Sequence, residues 1–214
     1  MTDLWSERAD RYRTSQIHAN GDDLDLLVAW CEPAEGVTAL DVATGGGHVA
    51  RRLREEGATV VTTDAAPGMQ ADTTASAEDL PFADASFDVV ACRIAAHHFA
   101  DVNAAVREMA RVAKDRVVVC DNTFVSEASE EADRLRDPTH VRNYSAAEWR
   151  IFFEQAGLEV TEEQTMERWA EVESWLERAG CTGDDAERVR ELLADEIVDG
   201  KKRLPTLVIR GGKR

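Results

Sequence analysis

Between Asp41 and Gly47 the chain reads Asp-Val-Ala-Thr-Gly-Gly-Gly, with His48 directly after it. Small residues in such a run let the backbone turn sharply and let a ligand approach main-chain N–H groups. Where a helix starts behind the turn, its free N–H groups and its dipole favour a carboxylate or phosphate. A second acid follows at Asp64, placed to accept hydrogen bonds from both hydroxyls of a ribose. Turn and acid together point to a nucleoside-bearing ligand, the plain alternative being a tight turn with a surface aspartate. Gly45-x-Gly47-x-x-Ala50 also satisfies a dinucleotide pattern, which keeps NAD in view. Asp41 weighs against NAD, because an anion at the start of the turn repels a pyrophosphate and suits an amino-acid ammonium.

Further along, His97 and His98 follow an apolar run. Either can orient or deprotonate a bound molecule, although packing or capping the next helix is the commoner use of such a histidine. His48 reads as a neighbour of the glycine turn rather than a base. His140, in a polar stretch before Tyr144, suits a pocket wall and a surface loop equally. No His/Cys/Asp cluster has metal-ligand spacing, so no metal is expected, and no nucleophile–base pair is recognisable.

These residues need a scaffold, and the apolar patterning supplies one. Strands are predicted at Val37–Val42, Ala58–Thr63, Phe87–Cys92 and Arg116–Cys120, each a buried run followed by a turn. Helices separate them: one carries Val49 and Leu53 and stops at Gly57, and another carries Val102, Ala105, Val106, Met109 and Val112. Ser145 and Glu148 have the spacing of a capping box for a helix through Trp149, Phe152, Phe153 and Ala156. Leu158–Thr161 is a short strand candidate, helices are expected at Trp169–Ala179 and Asp184–Val198, and Thr206–Ile209 closes the sheet. The stripe Trp169, Val172, Trp175, Leu176 reads as core, with a two-tryptophan lid over an apolar pocket as the alternative. Glu127–Asp133 reads as a solvated helix face. The repeated β-α-β order describes an α/β fold with a mostly parallel sheet flanked by helices.

Composition narrows the class. The 214 residues fit one domain, 43% of them hydrophobic, so a core is available. No apolar run approaches the roughly 20 residues that span a bilayer, and the charged start lacks a signal-peptide core. A cytoplasmic protein is expected, with Cys31, Cys92, Cys120 and Cys181 as free thiols. A net charge of -17 repels phosphate backbones and argues against a nucleic-acid partner. Basic residues are 21 Arg against 4 Lys, a bias that fits a salt-rich cytoplasm or a GC-rich genome alike.

Three separated segments carry a resemblance: Leu40–Gly47, then Asp64-Ala-Ala-Pro-Gly-Met69, then Ala77-Glu-Asp-Leu-Pro-Phe-Ala-Asp-Ala-Ser-Phe-Asp88, continued by Cys92–Phe99. Together they resemble class I S-adenosylmethionine-dependent methyltransferases, and are similar to the ubiquinone/menaquinone-biosynthesis type acting on small molecules. Leu135–Arg142 resembles a bacterial subgroup of the same kind. The resemblance implies a Rossmann-like fold with helical additions after the central strands. Residues 1–35 would form a helical cover, 36–121 the cofactor-binding half and 122–214 the acceptor-side half. It implies that Asp41, Ala43, Gly45 and Gly47 hold the methionine part of S-adenosylmethionine, with Ala43 in the family's first glycine slot. Asp64 would take the ribose hydroxyls, Met69, Ser76 and Ala77 would flank the adenine, and Arg93 would line the amino-acid end. Tyr12, in Trp5-x-x-Arg8-x-x-x-Tyr12, matches a tyrosine that covers the cofactor, where its ring can also stabilise a sulfonium. One departure concerns Met69–Asp79, too short for the helix and strand the family places there.

The expected activity is methyl transfer to oxygen, nitrogen or carbon of a small acceptor, with His97 and His98 as the candidates for acid–base work. A cofactor-binding protein without catalysis, suggested by the shortened adenine region, and an NAD-linked oxidoreductase are the alternatives.

Overall fold

A computed structural model describes residues 2–213. Helices α1 (Thr2–Arg13), α2 (Gln16–Ala19) and α3 (Asp22–Cys31) precede β1 (Thr38–Val42), α4 (His48–Glu55) and β2 (Thr59–Asp64). After a 3-10 turn at Pro67–Met69 come β3 (Thr73–Thr74), β4 (Phe87–Arg93), a second 3-10 turn at Ala96–His98, α5 (Val102–Val112) and β5 (Ala113–Asn122). The remainder comprises α6 (Glu127–Arg136), α7 (Ala146–Gln155), β6 (Leu158–Glu171), α8 (Val172–Ala179), α9 (Gly183–Leu192), β7 (Ile197–Val198) and β8 (Lys201–Lys213).

One sheet runs β3-β2-β1-β4-β5-β8-β6, with β7 beside β8. The pairs from β3 to β5 are parallel, whereas β8 is antiparallel to both β5 and β6. Alternation along each strand sends Ala39 to one face and Leu40 and Val42 to the other. The first face packs on α3 and α4 through Leu24, Leu27, Val49 and Leu53. The second packs on α5 and α7 through Val106, Met109, Trp149 and Phe153. A third cluster, built from α6, α8 and α9 around Ala132, Leu176 and Val189, stands apart from the sheet core. All four cysteines are free and buried. No described helix is long and apolar enough to cross a membrane.

The predicted elements of the parallel half form at or near their expected positions, and both bonds of the Ser145–Glu148 capping box are made. The C-terminal half differs. The expected Leu158–Thr161 strand extends to Glu171, and the expected Thr206–Ile209 strand spans Lys201–Lys213. These two form a long antiparallel ribbon from the pair Leu158↔Lys213 to the pair Glu171↔Lys201. Continuous cross-strand pairing prevails over the polar character of Thr161–Gln164, while a register shift between Val160 and Glu162 breaks the alternation that marks a strand. Trp169 therefore lies in β6, opposite Arg203, and the following helix starts only at Val172. The last expected helix stops at Leu192, because Ile197 and Val198 pair with β8.

Between Gly68 and Leu80 the short segment makes the end of one 3-10 turn and the two-residue β3, with no helix. Glu127–Asp133 is not the solvated face expected of it: Glu130 is 2% exposed, and Ser129 and Ala132 are buried beside it. His140 is likewise buried rather than on a surface loop. Its Nε2 stands 3.1 Å from Glu130 Oε2, and that hydrogen bond offsets the cost of burying both groups.

Candidate active site

The glycine turn hangs from the end of β1. Ala43, Gly45 and Gly47 adopt φ of 53°, 52° and 74°, the left-handed region that glycine enters freely and alanine enters at a cost. Gly46 is required for a different reason: a Cβ there would stand 2.6 Å from the Tyr12 carbonyl oxygen. That carbonyl accepts a hydrogen bond from His48 Nε2 at 2.9 Å, which ties the turn to α1 and occupies the histidine. Gly47 caps α4 and is the one expected turn residue that does not line the cavity described below.

Asp41 is 1% exposed and reaches beneath the turn. Its Oδ2 accepts from Thr44 Oγ1 at 2.6 Å and from Ala50 N–H at 3.1 Å, so it satisfies a free donor in the first turn of α4. Burial pushes its carboxyl up to about 6, against the opposing pull of those hydrogen bonds. Asp64 closes β2 and accepts from Gly45 N–H at 3.0 Å and Ala66 N–H at 2.9 Å. It too is raised by burial. With one backbone donor on each oxygen, it keeps lone pairs for two further hydroxyls.

Tyr12, Asp41, Ala43, Gly45, Asp64, Met69, Ser76, Ala77, Arg93, His97 and His98 all line one cavity of about 530 Å³. Its roof is α1. Trp5 and Tyr12 pack with Ala9, Ala66 and Met69, and Trp5 meets His98 edge-on at 4.7 Å between ring centres. Ser76 donates its hydroxyl to Glu78, whose other oxygen accepts from Ala100 N–H at 2.9 Å. The dimensions and donor set fit S-adenosylmethionine: an anionic pocket at the turn for an ammonium, a strand-tip acid for a ribose, and small apolar walls at Ala77 and Met69.

On the far side of β1, the 3-10 turn after β4 presents the two histidines. His97 Nδ1 lies 2.6 Å from Asp121 Oδ1, and the His97 backbone N–H donates to Asp121 Oδ2 at 2.8 Å. Burial opposes charge on the His97 ring, but the Asp121 carboxylate outweighs it through charge and hydrogen bond, and the net shift is upward. His98 goes the other way: burial and then the neighbouring His97 charge push it well below its ordinary value. The rings lie 4.1 Å apart, and Thr139 holds His98 Nδ1 with its carbonyl oxygen at 3.1 Å. His140 stands behind them, 5.6 Å from His97, and does not line the cavity.

Arg93 is locked in place. Nε and Nη2 both address Asp23 Oδ2, at 2.8 and 2.7 Å, and Nη1 donates to the His18 carbonyl. Trp175 lines the cavity, whereas Trp169 does not and is 45% exposed, so the two-tryptophan lid is not formed. Asp121, Asp23, Asn122, Thr139, Arg136, Arg168 and Arg178 were not anticipated. A signal existed for Asp121, which stands one residue from the end of β5, much as Asp64 ends β2. Glu130, Asp133 and His140, from α6 and the loop after it, place one ligand atom each within 4.8 Å of one another. That group already contains a cation, since Lys202 Nζ donates to Asp133 Oδ1 at 3.0 Å.

Comparison with known proteins agrees with this geometry. Residues 40–120 match the methyltransferase domain family. An uncharacterized methyltransferase, YcgJ of Bacillus subtilis, is 32% identical over 207 residues, covering 86% of this chain and 82% of its own. Its crystal structure superimposes with a TM-score of 0.82 at 29% identity, over 90% of this chain and 98% of that one. BH2331 of Bacillus halodurans C-125, a structure named for a methyltransferase, gives a TM-score of 0.78 at 27% identity, over 90% and 99%. A demethylmenaquinone methyltransferase of Mycolicibacterium paratuberculosis is 37% identical over 103 residues, 44% of this chain and 45% of that one. With the β1 turn, the β2 acid and the whole-chain superposition in agreement, the chain belongs to the class I S-adenosylmethionine-dependent methyltransferases.

Proposed function

We propose that the chain transfers a methyl group from S-adenosylmethionine to oxygen, nitrogen or carbon of a small-molecule acceptor by in-line displacement. The observation that carries this reading is that the β1 turn, Asp64 and His97, the last backed by Asp121, all line one cavity. When bound, S-adenosylmethionine supplies an electrophilic methyl group on a sulfonium; Asp41 and the turn would hold its methionine end, Asp64 its ribose, and Met69 and Ala77 its base. No metal is needed for such a displacement, and alignment with exclusion of water is the protein's main contribution. The α1 roof and the aromatic rings of Trp5 and Tyr12 exclude water. His97 makes no hydrogen bond through Nε2 among the described residues, and with Asp121 on Nδ1 it can accept a proton from a hydroxyl or amine acceptor. His98, kept neutral, can orient the same group.

A binding-only role is the second reading. It is favoured by the abbreviated adenine side, where β3 has two residues and the Ser76 hydroxyl is engaged by Glu78. Calorimetry with S-adenosylmethionine, S-adenosylhomocysteine and NAD decides the cofactor: tight NAD binding with no response to the other two would sink both readings. A screen of quinones, phenols and amines for methyl transfer then separates them. Turnover that His97→Asn lowers supports the enzyme, and binding without any turnover supports the second reading.

A further inference from the structure

Four arginines line the cavity on its β6 side: Arg93 at the end of β4, Arg136 at the end of α6, Arg168 in β6 and Arg178 in α8. Among the described residues only one carboxylate, Asp23, is in ion-pair contact with any of them. It binds Arg93 closely and lies 3.6 Å from Arg168 Nε. Arg168 Nη1 is buried with no hydrogen-bond partner among the described residues. Arg136 spends Nε on the Trp175 carbonyl at 3.0 Å and stacks its guanidinium over the Trp175 ring at 4.4 Å, but pairs with no carboxylate among the described residues. Arg178 makes neither a hydrogen bond nor an ion pair among them. Burial, then repulsion from Arg136, pushes Arg178 down to about 10, so it is still charged at neutral pH.

This arrangement is costly as it stands, because guanidinium groups out of water need acceptors. It is also out of character for a chain with a net charge of -17. Of the acids that line the cavity, Asp41 and Asp64 lie toward the ends of β1 and β2, and Glu78 and Asp101 lie in the loops before β4 and before α5; among the described residues none of the four is in ion-pair contact with these arginines. Guanidinium forks match carboxylate and phosphate oxygens bidentately. Trp175, Tyr12 and Leu204 line the same cavity and give it an apolar, aromatic component.

Resting on the methyltransferase reading, we infer that the methyl acceptor is an anion, an apolar or aromatic body carrying a carboxylate or phosphate that Arg136 and Arg178 grip. The grip places the rest of the acceptor beside His97 and His98. Arg168 offers its unpartnered Nη1 to the same group, and Arg93, held by Asp23, faces the cofactor end.

The test uses matched probes on the chain saturated with S-adenosylhomocysteine, so that the cofactor's own carboxylate is already in place. The pairs are 4-hydroxybenzoate with 4-hydroxybenzamide, and phenyl phosphate with phenol, followed by ligand-observed NMR. The expected result is binding of at least one anion about tenfold tighter than its neutral mate, weakened by salt. Whether benzoate or phosphate leads identifies the anion. Arg178→Gln and Arg136→Gln should each erode that preference, and their double variant should abolish it, while Arg178→Lys keeps part of it. Neutral mates that bind as well, no binding by either anion, or a preference that survives the double variant would each overturn the inference. Calorimetry with S-adenosylhomocysteine on the same preparations confirms folding and reads the cofactor assignment separately. If that ligand fails to bind, the methyltransferase reading is lost, while the unloaded chain still reports on the anion grip.

Discussion

Asp41, proposed to meet the ammonium of the cofactor, is buried as a carboxylate at the expense of folding. Its carboxyl is raised from 3.8 to about 6 chiefly by burial, so the folded chain binds that proton more tightly than the unfolded one. The stability this lends is fully present below pH 3.8 and is lost as pH rises through about 6. At pH 7.5 the isosteric Asp41→Asn should therefore be more stable, by on the order of 3 kcal/mol, yet bind S-adenosylhomocysteine poorly. The same ionisation sets the affinity of the wild type. An ammonium prefers the carboxylate form, so the dissociation constant should fall about tenfold per pH unit up to about 6 and level off above it. A flat pH profile, or one that persists in Asp41→Asn, would remove Asp41 from the ligand's amino end. His97 and His98 give a second test, by NMR titration. His97 should titrate above an ordinary histidine and His98 far below, and Asp121→Asn should bring His97 down. With a protonated acceptor, turnover should rise with pH through the His97 value, and Asp121→Asn should move that rise to lower pH. Identical titration of His97 in both proteins would show that Asp121 does not tune it. This end of the site was legible in the sequence because Asp41–Gly47 is contiguous and Asp64 ends a strand. The arginine end was not, since Arg136, Arg168 and Arg178 come from three elements and each looks like any arginine on a solvated face.

Helix α1 is the element on which closure of the site depends, and it is fastened by few contacts. Its apolar cluster has Ala9, Ala66 and Met69 as buried members, separate from the sheet cores. Beyond the packing of Trp5 and Tyr12, its polar ties are these: Ser6 Oγ accepts from Gly68 N–H at 3.0 Å, Arg13 donates to the Gly68 carbonyl at 3.1 Å, and Arg8 reaches Asp137 at 3.1 Å and the Ala179 carbonyl at 2.6 Å. Gly68 permits this docking, because a Cβ there would fall 2.5 Å from Ser6 Cα. Gly68→Ala should lift α1 off its seat, speed hydrogen exchange in Thr2–Arg13 and weaken S-adenosylhomocysteine several-fold. The sheet should keep its stability to within about 1 kcal/mol, since no core contact is lost. Unchanged exchange and affinity would show that α1 is not the roof of the site. The same contrast between local and distant support explains which elements could be read in advance. Parallel strands buried on both faces read as continuous apolar runs, as in Val117–Cys120. The edge strand β6 carries Glu159, Glu162, Glu163 and Glu167, the charges an unpaired edge needs, and these hide it from any apolar pattern. Its length is set by β8, some forty residues away in sequence, and not by its own residues.

At the scale of the whole molecule, a net charge of -17 competes with a dense set of surface ion pairs. Many of these are short and exposed, such as Arg150–Glu163 at 2.6 Å and Arg190–Glu173 at 2.8 Å. Exposed pairs are worth only about 0–1 kcal/mol each. The opposing repulsion acts over longer distances between carboxylates that have no partner. Added salt discriminates between the two by range. At an ionic strength of 0.1 M the screening length is about 10 Å, longer than a contact pair but shorter than the separation of most like charges on a domain of this size. Potassium chloride should therefore relieve the repulsion more than it weakens the pairs. The melting temperature should rise by a few degrees between 0.05 and 0.5 M, at a pH near 7.5 where the carboxylates are ionised. A rise that continues into molar KCl, with partial unfolding in dilute buffer, would mark adaptation to a salt-rich cytoplasm. Equal stability in dilute buffer and molar KCl would dismiss that adaptation and leave the 21 Arg against 4 Lys as a bias of composition. The cavity should respond in the opposite sense. There Arg136 and Arg178 have no carboxylate in contact among the described residues, so chloride should weaken an anionic probe over the same range in which it stabilises the fold.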